Sequence, residues 1–295
     1  MAARDSLGRV GGVHSAVRWI RDQLRGRRRP MGTARSGDLP NADDDDAYTL
    51  FEGTTLRLHD LSTERLEDLR PDPALLPGAF RIRVARSRDS REQAGSLVKR
   101  RYASRGYQLS SRKVPDPNLF TFVAYNSGDL VGTVSLRLDS DNGLVAEQLY
   151  RKEVNVLRSS ESRLCEFTRL AIDVNAGSKS VLAGLFHTAY LFAYRVRGCD
   201  SAVIEVNPRH VVFYERALGF RAVGPERLSP RVNAPAVLLC VRFETVAQGV
   251  AKYAGRPELA NSTRLLFPYG FSARDEEGIL RRLRVFSSSA ADATV

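Results

Sequence analysis

The stretch RLCEFTRLAID, Arg163 to Asp173, decides how the chain is read. Its Leu, Phe, Ala and Ile residues describe a buried β-strand, yet Glu166 and Arg169 stand three residues apart within it. Side chains on a regular strand alternate between the two faces, so residues three apart point in opposite directions. A core strand carrying two opposite charges that its own pleat separates needs a special reason.

Working outward from that strand, the elements on both sides are regular. Before it, VAEQLYRKEVNVLRSS reads as a helix, and LFTFVAYNSGDLVGTVSLRL as a hairpin around Ser127, Gly128 and Asp129. Earlier still, SRDSREQAGSLVKRRYASRGY is a helix with Ser87 or Asp89 near its N-cap and Ala94, Leu97 and Val98 on one face. It follows the strand FRIRVA, which opens the regular region at Phe80. After the central strand come the loop VNAGSKS, a long apolar helix ending at Gly198, and the buried strand SAVIEV. A helix with Pro208 at its start and the strand APAVLLCVRFE close the series. This order predicts an α/β (α+β) fold, a mixed sheet with helices on both faces.

The chain has 295 residues, 43% hydrophobic and 27% charged, the profile of a soluble globular protein. No apolar run reaches the ~18 residues of a membrane span, and the start lacks the apolar core of a secretory signal, so a cytoplasmic location is expected. Cys165, Cys199 and Cys240 each sit in an apolar segment and read as reduced core residues. The net charge of +11 is uneven: +7 over residues 1–37, −8 over 38–72, and +12 over the remainder. A basic main region favours an acidic partner or an anionic substrate. Nucleic acid is disfavoured, because no helix-turn-helix, zinc-finger or RNA-binding aromatic signature accompanies the charge.

Three parts are expected: a leader and linker over 1–72, the main domain over 73–245, and an extension over 246–295 with a short basic helix near Glu276 to Arg284. In the leader, Val13, Ala16, Val17, Ile20 and Leu24 fall at helical spacing opposite His14, Arg18, Arg21 and Arg25. Residues 13–29 could thus lie on an anionic membrane surface, or form a solvated tail. The DDDD run at Asp43 to Asp46 and the prolines after it mark the linker.

The segment FYERALGF, Phe213 to Phe220, resembles the helix-to-strand ending of the GNAT N-acyltransferases. Taken with GDLVGTVSLRL, LYRKEVNVLRSS, LCEFTRLAID and NPRHVVFY, which precede or overlap it in that order, it is similar to the bacterial N-acyl amino acid synthases. These resemble the acyl-homoserine-lactone synthases and share their E-x-x-R strand. The resemblance covers about Phe80 to Glu244. It implies a GNAT-like, mostly antiparallel twisted sheet in which two central parallel strands, Glu166 to Asp173 and Ala202 to Val206, splay apart.

The resemblance also implies a reaction: a long-chain fatty acyl group passes from the phosphopantetheine thioester of acyl carrier protein to the α-amine of an amino acid. The acyl-phosphopantetheine, of carrier protein or of coenzyme A, is then a co-substrate and no cofactor stays bound. Carrier proteins of this type are acidic, which suits the basic main region. A bulge in the first splayed strand would bring Glu166 and Arg169 to one side and point an amide, that of Leu170 or Ile172, at the thioester oxygen.

Roles for side chains follow from what amine attack on a thioester needs. Glu166 is the first candidate for the general base, with Glu205 its competitor, unless Glu166 and Arg169 form only a structural ion pair. Arg169 could fork onto the amino acid's carboxylate, aided by Arg209 and His210 at a helix start. Tyr214 is placed to protonate the leaving thiolate, or packs on the sheet as an ordinary aromatic. Gly177, Ser178 and Lys179 stand where GNAT enzymes cradle phosphate. Val174, in place of Gln or Arg, weakens the diphosphate cradle and favours carrier protein over coenzyme A. No metal is expected, since His210 has no ligand partner at zinc spacing and only four histidines exist. A homoserine-lactone synthase, an ornithine-type acyl synthase, and a catalytically silent module that binds acyl carrier or membrane are the competing readings.

Overall fold

Thr49–Thr54 (β1), Ala79–Val84 (β2), Leu119–Asn126 (β3), Asp129–Leu138 (β4) and Leu164–Ile172 (β5) lie side by side and antiparallel in the computed structural model, which describes residues 49–54, 79–107, 116–159, 162–173 and 178–292. The hairpin between β3 and β4 closes over two residues, Ser127 and Gly128, with φ of 50° and 88°. Positive φ at both positions is what a type I′ turn requires, and it matches the twist of the flanking strands. Beyond β5 the sheet continues through Ser201–Val206 (β6). Arg221–Ala222 (β7), Arg227–Ser229 (β8) and Ala234–Arg242 (β9) complete it. The strand order is β1-β2-β3-β4-β5-β6-β9-β7, with β8 paired to β9. Only β5 and β6 run parallel. This is the expected mixed sheet.

Helices cover both faces. Arg88–Ala103 (α1), capped by the Ser87 hydroxyl accepting from the Ser90 amide at 3.0 Å, packs Leu97 and Val98 on Ala171. Beside it, Glu147–Ser159 (α2) packs Tyr150 and Val154 against Leu164, Val203 and Leu238. The opposite face carries the main core. There Lys179–Tyr190 (α3) continues as a π-helical stretch, Leu191–Val196, and stops at Gly198 with φ 67°. The Cys199 amide closes that end by donating to Ala193 O at 2.9 Å. A 3₁₀ turn, Pro208–His210, leads into Val211–Leu218 (α4), followed by Phe243–Tyr253 (α5) and Ala273–Asp292 (α6).

Both ends of the chain depart from the three-part expectation. Thr49–Thr54, placed in the leader by its acidic surroundings, is the edge strand of the sheet, and Leu50 belongs to the main core. The short helix near Glu276 to Arg284 is the middle of a 20-residue helix whose Ile279, Leu280, Leu283 and Phe286 join the same core. Arg282 fastens it to β1 by donating to Leu50 O at 2.8 Å. The expected boundary at 245 falls inside α5, so the extension shares the main domain's core. Residues 13–29, the acidic run 43–46 and the proline-rich stretch 71–78 lie outside the described residues. Among the described residues no helix is long and apolar enough to cross a membrane. The three cysteines are free and buried.

Candidate active site

The β5–β6 ladder holds only three pairs, Leu164↔Ser201, Cys165↔Ala202 and Glu166↔Val203. Beyond Glu166 both strands continue unpaired to each other, as the splay required. The cause lies in β5. Its register against β4 slips between Thr168↔Ser135 and Ala171↔Thr133, leaving Arg169 and Leu170 opposite Val134 alone. Arg169 takes φ 52°, a left-handed conformation that a side chain resists. The bulge reverses the alternation: Leu164 packs on the α2 side, whereas Ile172, eight residues on, packs in the main core. In an unbroken strand both would face one way.

The same register aims an amide into the gap. Asp173 donates to Val131 O at 2.8 Å, so this pair is a hydrogen-bonded one. Antiparallel ladders alternate such pairs with outward-facing ones, which turns the Ile172 N–H away from β4 toward the space vacated by β6. Leu170 lies within the bulge itself, half-buried against the main core.

Glu166 is 1% exposed and faces the α1/α2 side of the opening. Its carboxylate accepts from the Val145 amide at 2.6 Å. Burial pushes its pKa up to about 7, while Arg231 and the Val145 and Ala146 amides pull it back. A framework holds that amide in place. Arg158 donates to both Asp139 oxygens at 2.7 Å and also bonds Glu147, which accepts from the Leu144 amide at 2.7 Å. Tyr150 then pins α2 to β9 by donating to Ala236 O at 2.6 Å.

Arg169 reaches the same face. It stands within electrostatic reach of Arg137, Tyr102 and Asp116, and Arg137 is the cross-strand partner of Glu166. No ion pair links Glu166 to Arg169 among the described residues, so the structural-pair reading is set aside. Arg137 itself pairs with Asp116 at 2.7 Å, and Glu205 pairs with Arg231 at 2.6 Å, the Glu205 side chain being 8% exposed. That pair occupies the carboxylate of the competing base candidate.

The same pocket contains residues that the sequence reading did not single out: Tyr102, Tyr107 and Arg231. Tyr102, its phenol pushed up to about 12 by burial, has Arg231, Arg169, Tyr107 and Glu205 as charged or polar neighbours. Its position was legible, since Ala94, Val98 and Tyr102 recur at helical spacing on one stripe. Arg231 sits in a short loop and gave no signal. Tyr107 accepts from Arg209 Nη2 at 2.6 Å, and Arg209 Nε donates to His210 Nε2 at 3.2 Å. His210, expected to aid Arg209 in drawing a carboxylate to this helix start, stands there without a positive charge of its own. Burial, then Arg209 and Arg105, hold its pKa down to about 3, so the imidazole is neutral.

Tyr214 belongs to the other side of the gap. Its ring packs with Phe186, Phe213 and Phe220 in the main core. Burial pushes its phenol pKa well above the ordinary value, with Tyr102 adding to the shift, so the phenol keeps its proton. Farther along this side, Ser178 caps α3, its hydroxyl accepting from the Val181 amide at 3.1 Å. Lys179 Nζ lies 3.5 Å from the Tyr269 hydroxyl and 5.3 Å from the ring centre. Gly177 and Val174 lie outside the described residues.

An apolar cleft of about 450 Å³, including its open mouth, runs between α3, α4 and α5. Phe167, the first residue past the last β5–β6 pair, lines it with Phe186, Leu218 and Phe267.

Comparison with known proteins adds the following. Residues 93–242 match the family model described as N-acyl amino acid synthase FeeM. The solved structure of FeeM, an N-acyl amino acid synthase from uncultured soil microbes, is 26% identical, with a TM-score of 0.54, over 57% of this chain and 94% of that one. Weaker similarity extends to ElaA from Escherichia coli, 11% identical at a TM-score of 0.41, over 55% of this chain and 98% of that one. The acyl-homoserine-lactone synthase LasI is 13% identical at a TM-score of 0.36, over 56% of this chain and 90% of that one. No curated protein sequence matches the chain.

Proposed function

The chain belongs to the FeeM family of N-acyl amino acid synthases, whose model spans more than half of it, and is an N-acyltransferase of GNAT-like fold; from that premise we propose its donor, acceptor and catalytic residues. The donor is acyl carrier protein carrying a long-chain fatty acyl group on phosphopantetheine, and the acceptor is the α-amine of an amino acid. The observation that carries this reading is the division of the β5–β6 opening. A buried carboxylate with a pKa near 7 and the Arg169 cation stand on one face, and a protonated phenol and an apolar cleft on the other.

In this mechanism the thioester lies in the gap with its acyl chain in the apolar cleft. The amino acid enters from the α1 side, its carboxylate drawn by Arg169, with Arg209 oriented by Tyr107 and His210. Glu166 takes the proton that the ammonium must lose before nitrogen can attack. As the C–N bond forms, the Ile172 amide, with Leu170 as the alternative donor, meets the oxygen that gains charge. The C–S bond then breaks as Tyr214 gives its proton to the departing thiolate, and the second proton shed by the acylated nitrogen passes to solvent, from which the phenol is reprotonated. Glu205 is left a supporting role, because its carboxylate is engaged by Arg231.

Three features favour carrier protein over coenzyme A. The region from residue 73 onward carries a charge of +12, which complements an acidic protein. Val174 stands where a diphosphate cradle has Gln or Arg. Lys179, backed by Tyr269, supplies one cation, which suits one phosphate. This setting is cytoplasmic, with membrane-surface contact through residues 13–29 as an accessory.

The test mixes purified protein, acyl carrier protein loaded with fatty acids of several lengths, and the common amino acids, and seeks N-acyl products by mass spectrometry. An N-acyl amino acid formed from the carrier protein supports the reading. Efficient transfer from long-chain acyl-coenzyme A but not from carrier protein overturns the donor assignment. Absence of both product and thiol release favours a silent binding module.

A further inference from the structure

Phe243, Val246, Val250, Leu266, Phe267 and Gly270 line the apolar cleft, and all lie beyond residue 242, where the family match ends. We infer that this C-terminal segment forms the closed end of the acyl slot and sets the length of fatty acyl group the enzyme accepts. The inference rests on the proposed function and deepens it.

The geometry supplies both the occupant and the wall. Phe167, the first residue past the last β5–β6 pair, lines the cleft, which puts the cleft within reach of a chain attached to a thioester in the gap. Its lining is almost wholly apolar, which fits an alkyl chain. The wall is stitched to the enzyme's core on three sides. Leu266 donates its amide to Ala217 O at 2.9 Å, tying the segment to α4. The Phe271 amide donates to His187 Nδ1 at 3.1 Å, tying it to α3. The Phe267 ring lies so close to α5 that a Cβ at Gly249 would come within 2.5 Å of Cε2. Glu276 of α6 stands 3.5 Å from His187 Nε2, behind the same wall.

A fixed apolar wall discriminates by length in both directions. Each methylene left out of the slot forgoes about a fourfold factor, and each one too many must displace packed side chains. Phe267 is the residue whose size governs this most directly, since its ring is held by Gly249 on one side and borders the cleft on the other.

The experiment measures N-acyl product from a series of saturated acyl carrier proteins lengthened by two carbons at a time, using wild type, Phe267→Ala, Phe267→Trp and Val285→Ala. Val285 is 66% exposed on α6 and serves as the control. Phe267→Ala is expected to favour the next longer donor by about 16-fold, the factor carried by two buried methylenes, and Phe267→Trp to favour the shorter one. The control should keep the wild-type profile. Thermal melts identify any variant that fails to fold; Phe267→Trp then remains informative if Phe267→Ala collapses. An unchanged length profile in folded Phe267 variants overturns the inference while leaving the acyltransferase reading intact. Absence of any product from wild type removes that reading, and the inference with it.

Discussion

The Glu166 carboxylate accepts from the Val145 amide at 2.6 Å and not from Arg169, although the bulge brings Arg169 to the same face of the sheet. The two charges that a regular pleat would have separated therefore share a face without being partners. That leaves a buried carboxylate able to exchange a proton and an arginine able to meet another carboxylate.

The arginine carries a backbone cost. Arg169 at φ 52° sits in a conformation that disfavours a side chain by roughly 1–2 kcal/mol. Arg169→Gly should hold or raise stability by about 1 kcal/mol in denaturant titration, and Arg169→Ala should not. Both should raise KM for the amino acid by about 10–100-fold while leaving donor KM alone. Unchanged acceptor KM would remove Arg169 from the acceptor site.

Glu205 and Arg231 form one ion pair on this face, with side chains 8% and 30% exposed, and Arg137 and Asp116 form another at 2.7 Å. Breaking the first by Glu205→Gln should cost about 1–3 kcal/mol, below the figure for a fully buried pair because water reaches Arg231. Turnover should fall by about tenfold or less, through disturbed packing. A loss matching that of Glu166→Gln, with stability intact, would make Glu205 the base.

Glu166 also predicts how stability varies with pH. Its folded pKa of about 7 lies above the ordinary carboxylate value of 4.5, so between these values the folded protein holds a proton that the unfolded chain has lost. The carboxyl's contribution is present in full below about pH 4.5 and is lost as pH rises through 7, by roughly 3 kcal/mol. Glu166→Gln keeps an acceptor for Val145 and cannot ionise. The stability of wild type relative to this variant should therefore fall over that window; a difference independent of pH would contradict the raised pKa.

On the donor side, Lys179→Ala should raise KM for acyl carrier protein by about tenfold and leave amino acid KM unchanged. Raising salt should reproduce part of the effect, as expected for charge-guided docking. Equal loss toward both substrates would point to a structural role for the Lys179–Tyr269 contact.

Strands β2 to β6 and β9 were legible because each alternates or runs apolar between clear turn signals, and α1 to α4 because their caps and apolar stripes stand out; β7 and β8, two and three residues long, carry no such pattern. β1 was not, since Thr49–Thr54 is a six-residue edge strand directly after an acidic run, and only pairing with β2 reveals it. The length of α6 was hidden because Gly278 and several arginines dilute its apolar stripe, Ile279, Leu283 and Phe286. At the site, Glu166 and Arg169 announced themselves by conflict with their strand. Val145 could not, because it acts through its backbone amide. Arg231 could not, because its pairing with Glu205 spans 26 residues and depends on β6 and β9 being neighbours.

The central claim is that Glu166 is the base for N-acyl transfer, and the pH dependence of kcat/KM in wild type and Glu166→Gln tests it most directly. Wild-type rates should climb through an apparent pKa near 7, and the variant should be slower by about 100-fold and lack that limb. A folded Glu166→Gln enzyme that keeps the wild-type rate and the same limb would contradict the account.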